Sequence, residues 1–183
     1  MKRVLTIIAA LLVAAAPSSA ANQYGWTIGS SASDPNVNTG PVTGAPLTLY
    51  LWLACSDNGG MSAAEFDLQT PPGVFNFGFT VLGSFLNAGG ATHLLLAVGG
   101  CPTGPIPAGL WNVFNTAAGS YCLVNGPGGG NRGTVDCDPV APQLWPIGVI
   151  GYGAGGPPSC VELLCPIVSV ESSSWGSVKS LYR

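Results

Sequence analysis

The sequence predicts an all-β domain, a two-sheet antiparallel β-sandwich stapled by disulfides, and three observations carry that expectation. Apolar residues recur at every second position in several short runs, the spacing of strands with one buried face. Between those runs, 27 glycines and 16 prolines among 183 residues supply turns and disfavour helices. Six cysteines follow a leader of the kind that sends a chain to compartments where disulfides form. Glycine and proline content alone would also suit a disordered chain. Against that, 47% of the residues are apolar and they fall in period-2 runs, so folding can bury enough surface to offset the ordering entropy.

The leader comes first. Met1, Lys2 and Arg3 form a basic start, Val4 to Ala16 are almost all apolar, and Ser18, Ser19 and Ala20 supply small residues for cleavage. Residues 1–21 are therefore expected to be a helical signal peptide, cut after Ala20 or Ala21. The apolar run is short of the roughly 20 residues a membrane span needs, and no later run reaches that length. No cysteine precedes Cys55 in the mature chain, so a lipid anchor at the cleavage site is not expected. The expected layout is a signal peptide over 1–21, one β-sandwich domain over 22–170 and a tail over 171–183. Without Lys2 and Arg3, three basic residues face eight acidic ones, a formal charge of −5. Such a chain repels a phosphate backbone, which excludes nucleic acid as a partner class.

Taken in order, Tyr24, Trp26 and Ile28 mark an edge strand followed by a long polar loop to Pro46. In the central run, Leu47, Leu49, Leu51, Leu53 and Cys55 share one apolar face, and the turn residues Ser56 to Gly60 end it. The next strand sets Ala64, Phe66 and Leu68 against Glu65, Asp67 and Gln69. A third places Phe75, Phe77, Phe79 and Val81 on one side, and a fourth does the same with Leu94, Leu96 and Val98. Thr103 to Ala108 hold two prolines and are not expected in a central strand. Short strands are expected at Leu110–Phe114, Ser120–Val124, Thr134–Cys137, Ile147–Tyr152 and Val161–Cys165. Eight or nine strands at near-regular spacing indicate a sandwich, Ig-like or cohesin-like.

All six cysteines, Cys55, Cys101, Cys122, Cys137, Cys160 and Cys165, are expected in disulfides. Cys122 and Cys137 flank a glycine-rich loop and end two apolar runs, so they are the expected pair, with Cys55–Cys101 and Cys160–Cys165 as the others. No Cys-x-x-Cys is present and His93, the one histidine, has no cysteine near it in sequence, so no zinc site or other metal is expected.

Few groups offer chemistry. Gly128 to Gly133 spell Gly-x-Gly-x-x-Gly, but no helix is expected after Gly133 and no nucleotide cofactor is implied; Arg132 reads as a solvated loop residue. His93 is the only candidate imidazole base, and the chain contains no Gly-x-Ser-x-Gly elbow. Glu65 and Asp67 would sit about 7 Å apart on one strand face, where a glycosidase pair is conceivable and a solvent face is the simpler reading. Asp57, Asn58, Glu65 and Asp67, or Asp136 and Asp138, offer oxygens for calcium without the spacing of a known loop. Trp52, Trp111 and Trp145 are the candidate ligand-binding residues: exposed, they form a sugar-stacking platform, and buried, a further layer of core.

In the tail, Trp175, Val178, Leu181 and Tyr182 recur at helical spacing, with Ser174 as N-cap and Lys179 and Arg183 near the C-terminal end. A short helix is expected, weakened by Gly176. The residues Trp175, Gly176, Lys179, Leu181, Tyr182 and Arg183 resemble a tail found at the extreme C-terminus of exported bacterial proteins, Ser/Thr-Trp-Gly-x-Ile/Val-Lys-x-Leu-Tyr-Arg. That resemblance implies a processing or attachment signal. Separately, Ala64 to Val74 is similar to the strand-turn opening of cohesin-like sandwich modules, which implies the same sandwich fold.

The function expected is that of a non-catalytic, secreted or cell-surface module with an adhesive, structural or scaffolding role. Its partners would be a protein or a polysaccharide at the cell surface, and no cofactor is expected. A carbohydrate-binding module and a small secreted hydrolase built on Glu65, Asp67 or His93 are the alternatives.

Overall fold

The computed structural model describes residues 24–56, 59–126, 132–162 and 164–165, and these contain strands and no helix. The expected signal helix and the expected tail helix both lie outside the described residues. Twelve strands form: β1 Tyr24–Gly29, β2 Thr39–Gly40, β3 Ala45–Ser56, β4 Met61–Gln69, β5 Phe75–Val81, β6 Phe85–Asn87, β7 His93–Val98, β8 Ile106–Asn115, β9 Gly119–Val124, β10 Gly133–Asp136, β11 Leu144–Ile150 and β12 Tyr152–Ala154. They hydrogen-bond in the order β2-β12-β9-β4-β10-β11-β1-β3-β8-β5, with β7 on β4 and β6 on β7. The path does not close on itself. Two pairings are parallel, β1 with β11 and β12 with β2, so the expected purely antiparallel arrangement is corrected to a mixed one.

β1 is not an edge strand. It lies between β3 and β11 and all six of its residues are buried, because Trp26 and Ile28 fill one side while Gly25 and Thr27 are covered on the other. The core gathers Tyr24, Trp26 and Ile28 with Leu49, Leu51 and Leu53, Phe66, Leu94 and Leu96, Trp111, Tyr121, Val149 and Tyr152. Its aromatic rings meet edge-on: Trp26 stands 5.1 Å from Phe66 and Trp111 5.6 Å from Tyr121. Polar atoms inside are paired in places, as where the Trp26 indole N–H donates to Thr134 Oγ1 at 3.0 Å.

Single extra residues interrupt several of the strands. On β3, Leu53 pairs with Trp26 but Cys55 pairs with Gly25, so Ala54 is extra and Cys55 leaves the leucine face. Its sulfur then lies over Gly25, beside Leu164, where a β-carbon on Gly25 would collide with both. On β5 the register shifts between Asn76 and Gly78, whose φ of +109° suits glycine alone, and the aromatic series divides. Phe79 and Val81 pack on the core, whereas Phe75 and Phe77 are 69% and 63% exposed. On β8, Pro107 lies inside a strand after all. It sits at the register shift opposite Trp52 and beyond the last β5 pairing at Gly109, where a missing N–H costs no ladder bond to β5. The expected last strand, Val161–Cys165, is reduced among the described residues to a single bridge between Ile150 and Val161.

All six cysteines are oxidised, but in other pairs than expected: Cys55–Cys165, Cys101–Cys137 and Cys122–Cys160. The reason is topological. β10 pairs with Met61 to Glu65 and β9 with Asp67 to Gln69, so the two strands lie end to end along one edge of β4. Cys122 and Cys137 are therefore not side by side. β9 instead neighbours β12, and the Gly151 N–H donates to the Cys160 carbonyl at 2.9 Å, which brings Cys160 to Cys122. The three bonds fit an oxidising compartment, and no described helix is long and apolar enough to cross a membrane.

Candidate functional site

The strand pairing builds a surface that the linear sequence does not display. Ala64, Leu96 and Thr134 are buried, so their neighbours Ala63, Ala97 and Val135 point to the other face of the sheet. Pairing carries that row onward: Leu86 lies opposite Ala97, Ala97 opposite Ala63, Ala63 opposite Val135, and Val135 opposite Leu144. Five adjacent strands thus present one uncharged apolar row. Leu86 and Leu144 at its two ends are 69% and 51% exposed, with alanines between them. Beside Leu144, the small side chains of Ala63, Ala97 and Val135 leave a trough of about 260 Å³, walled also by Glu65 and Leu95.

One end of this face is polar. Asp67 on β4 lies opposite His93 on β7, and Asp67 Oδ1 is 2.6 Å from His93 Nδ1. The other ring nitrogen, Nε2, is 3.8 Å from Glu65 Oε1. All three groups are part-exposed. Gly126 packs against the ring, since a β-carbon there would come within 3.1 Å of His93 Cε1. The structure thus brings together the three residues singled out for a hydrolase. Asp67 fixes the imidazole through Nδ1, and Nε2 is turned toward Glu65. Among the described residues, no hydroxyl or thiol hydrogen-bonds to Nε2.

The second concavity lies where β10 leads into β11. Asp136 is buried and its carboxylate accepts three hydrogen bonds: from the Trp145 indole at 2.7 Å, the Gln143 N–H at 3.0 Å and the Asp138 N–H at 3.2 Å. The Trp145 bond above all, helped by the two backbone donors, holds the Asp136 carboxyl below the usual range. Asp138 Oδ1 in turn accepts from Val140 and Ala141 N–H at 2.8 and 3.1 Å, closing the loop tightly. The Cys101–Cys137 disulfide anchors it. A pocket of about 480 Å³ opens there, lined by Gly59, Asp136, Asp138, Pro139, Gln143 and Trp145.

The candidate tryptophans separate clearly. Trp52 and Trp111 are 5% and 1% exposed and so belong to the interior; Trp111 donates its indole N–H to Asn76 Oδ1. Trp145 is half-buried, packed against the core on one side and lining the pocket on the other. Arg132 is not a solvated loop residue. It donates to the Leu123 carbonyl at 3.0 Å and to both Glu162 oxygens at 2.8 and 2.7 Å, clamping the C-terminal segment to β9. No sequence signal joined Arg132 to Glu162, 30 residues away. Asp57, Asn58, residues 128–131 of the glycine motif, and the tail residues Trp175, Gly176, Lys179, Leu181, Tyr182 and Arg183 lie outside the described residues. Among those described, no group of three acidic, histidine or cysteine side chains is placed to hold a metal ion.

No known protein family, curated protein or solved structure is matched by this chain.

Proposed function

We propose that the chain is a non-catalytic, secreted or cell-surface module with an adhesive or scaffolding role, built as a two-sheet β-sandwich of Ig-like or cohesin-like layout. The sandwich reading is supported by the contact between Trp26 and Phe66, whose rings lie 5.1 Å apart. Their strands, β1 and β4, are three pairing steps apart along the sheet. A flat sheet would separate them by about 14 Å, so the strand path folds over and faces itself.

The adhesive reading rests on the apolar row from Leu86 to Leu144. A continuous apolar stripe on the outward face of a sheet costs solubility unless something covers it, and such patches mark interaction surfaces. Its polar end carries the carboxylates of Glu65 and Asp67. The complementary partner is a protein surface with apolar side chains for the trough and a basic group for those carboxylates. Leu86→Asp with Leu144→Asp tests this. Both side chains are largely exposed, so the melting temperature should hold while binding of the labelled mature protein to the producing cells is lost. Binding that survives the double substitution would refute the assignment. Concentration-dependent self-association, abolished by the same pair, would show instead that the face joins two copies of this chain.

A second reading, carbohydrate binding, is favoured by one observation: Trp145 is held rigid at the wall of a polar pocket.

A further inference from the structure

We propose that the pocket beside Trp145 is a saccharide site that accepts sugars without acidic groups and rejects uronates and sulfated sugars. The inference rests on the carbohydrate reading and goes beyond it by naming the site and the ligand class.

A sugar ring presents patches of C–H on its faces and hydroxyls around its edge. Its recognition therefore calls for an aromatic surface with hydrogen-bonding groups at the rim. Of the four described tryptophans, Trp26, Trp52 and Trp111 are buried, and Trp145 alone lines an open pocket. Its volume of about 480 Å³ falls within the usual span for small-ligand sites. Trp145 does not need to be ordered on binding. Its indole N–H is bound to Asp136 Oδ2 at 2.7 Å, and Asp136 is itself fixed by the Gln143 and Asp138 backbone. A ring held in advance avoids the rotamer entropy that a free tryptophan would lose.

The rim supplies the hydrogen bonds. Gln143 is exposed, and its side-chain amide, both donor and acceptor, has no partner among the described residues. Asp138 uses Oδ1 for the loop backbone, which leaves Oδ2 to accept from a hydroxyl. Gly59 contributes a wall without a side chain, in a turn whose φ of +68° favours glycine.

Charge sets the selectivity. Two carboxylates, Asp136 and Asp138, line the pocket, and no cationic side chain does. Arg132 is not in that lining; it lines a separate, smaller hollow with Leu144, Trp145 and Pro146, and its Nη2 is committed to Glu162. An anionic sugar would meet two like charges without compensation, whereas neutral hexoses and amino sugars would not.

The test uses the mature protein. Cellohexaose, maltohexaose, chitohexaose and a glucosamine hexamer would be titrated against it, with oligogalacturonate as the acidic comparison. The indole N–H resonance of Trp145, assigned by its loss in Trp145→Phe, reports binding at this ring. At least one neutral or amino oligosaccharide should shift that resonance, and oligogalacturonate should not. Gln143→Ala, an exposed change, should weaken binding about tenfold, the scale for losing a central contact. Asp138→Asn should admit oligogalacturonate. If Trp145→Phe fails to fold, the Gln143 and Asp138 variants still decide the matter.

Saccharide binding that leaves the Trp145 resonance and the Gln143→Ala affinity unchanged would overturn this site while sparing the carbohydrate reading. No binding by any member of the panel would overturn both. Equal binding of oligogalacturonate would overturn the selectivity. The adhesive reading stands or falls separately, on Leu86 and Leu144.

Discussion

Removing the Cys101–Cys137 bond by replacing both residues with alanine opens a loop whose ends are 36 residues apart in sequence. In the loop-closure treatment that constraint is worth about 4 kcal/mol at 25 °C. The same relation gives about 5 kcal/mol for Cys55–Cys165, whose ends are 110 residues apart. A domain of this size has roughly 5–15 kcal/mol in hand, so either loss is a large share. The corresponding fall in melting temperature is about 10 °C or more.

Native contacts argue for the reverse ranking. Cys165 closes a segment that meets the sheet through the Ile150–Val161 bridge and the Glu162 N–H to Val149 carbonyl bond. Cys101–Cys137 instead joins the turn after β7 to the loop after β10, and the Met61 N–H is bound to the Pro102 carbonyl beside it. Urea and thermal unfolding of the two double-alanine variants separate these views. Constraint on the unfolded chain makes the loss of Cys55–Cys165 the costlier; the reverse order would refute that reasoning and place the effect in local packing. Non-reducing peptide mapping of the wild type should find Cys55–Cys165, Cys101–Cys137 and Cys122–Cys160, and a peptide linking Cys122 to Cys137 would refute the topology itself.

Two further outcomes follow from buried groups. Thr27 Oγ1 is buried with no partner among the described residues, so Thr27→Val should stabilise the domain by about 1 kcal/mol in urea unfolding; a loss would mean that the hydroxyl is engaged. Burial, together with the neighbouring Tyr152, pushes Tyr121 up to about 12. The folded chain keeps that proton where the unfolded chain releases it, near the ordinary value of about 10. The contribution of Tyr121 is therefore complete below that ordinary value and declines as pH rises toward its folded value. Alkaline unfolding followed by circular dichroism should coincide with phenolate absorbance, and Tyr121→Phe should flatten the decline; an unchanged alkaline profile would count against it.

Much of the fold was legible because period-2 patterning survives translation into burial. Phe66 and Leu68 are buried while Glu65 and Asp67 are part-exposed, and Leu94 and Leu96 are buried beside exposed Leu95. Two of the failures, at Cys55 and at Phe75 with Phe77, share one physical cause. An extra residue in a strand turns every later side chain to the opposite face. Ala54 and the bulge at Gly78 each did this, sending Cys55 out to Cys165 and exposing Phe75 and Phe77. Gly78, a glycine inside an aromatic strand, was the readable sign of the second; nothing in Leu-Ala-Cys marks the first.

The candidate sites show why a surface is harder to read than a core. Burial is a property of one strand and its own alternation, so a single sequence window reports it. The apolar row is a property of register among five strands, and Ala63, Ala97 and Val135 mean nothing until pairing sets them in line. The same holds for His93 and Asp67, 26 residues apart, which become neighbours through β4–β7 pairing. Trp145 is the intermediate case. Its partner Asp136 lies only nine positions away, and the turn residues between them, with two prolines and Asp138, could have been read as a tight connection. What the sequence lacked was the second, independent fact that the Asp136 carboxylate turns inward and holds the indole. That bond converts Trp145 from one of several tryptophans into the fixed wall of a pocket. If it is the organising contact, Asp136→Asn should loosen the Trp145 indole resonance and lower saccharide affinity, while Trp52 and Trp111, held in the interior, stay unchanged.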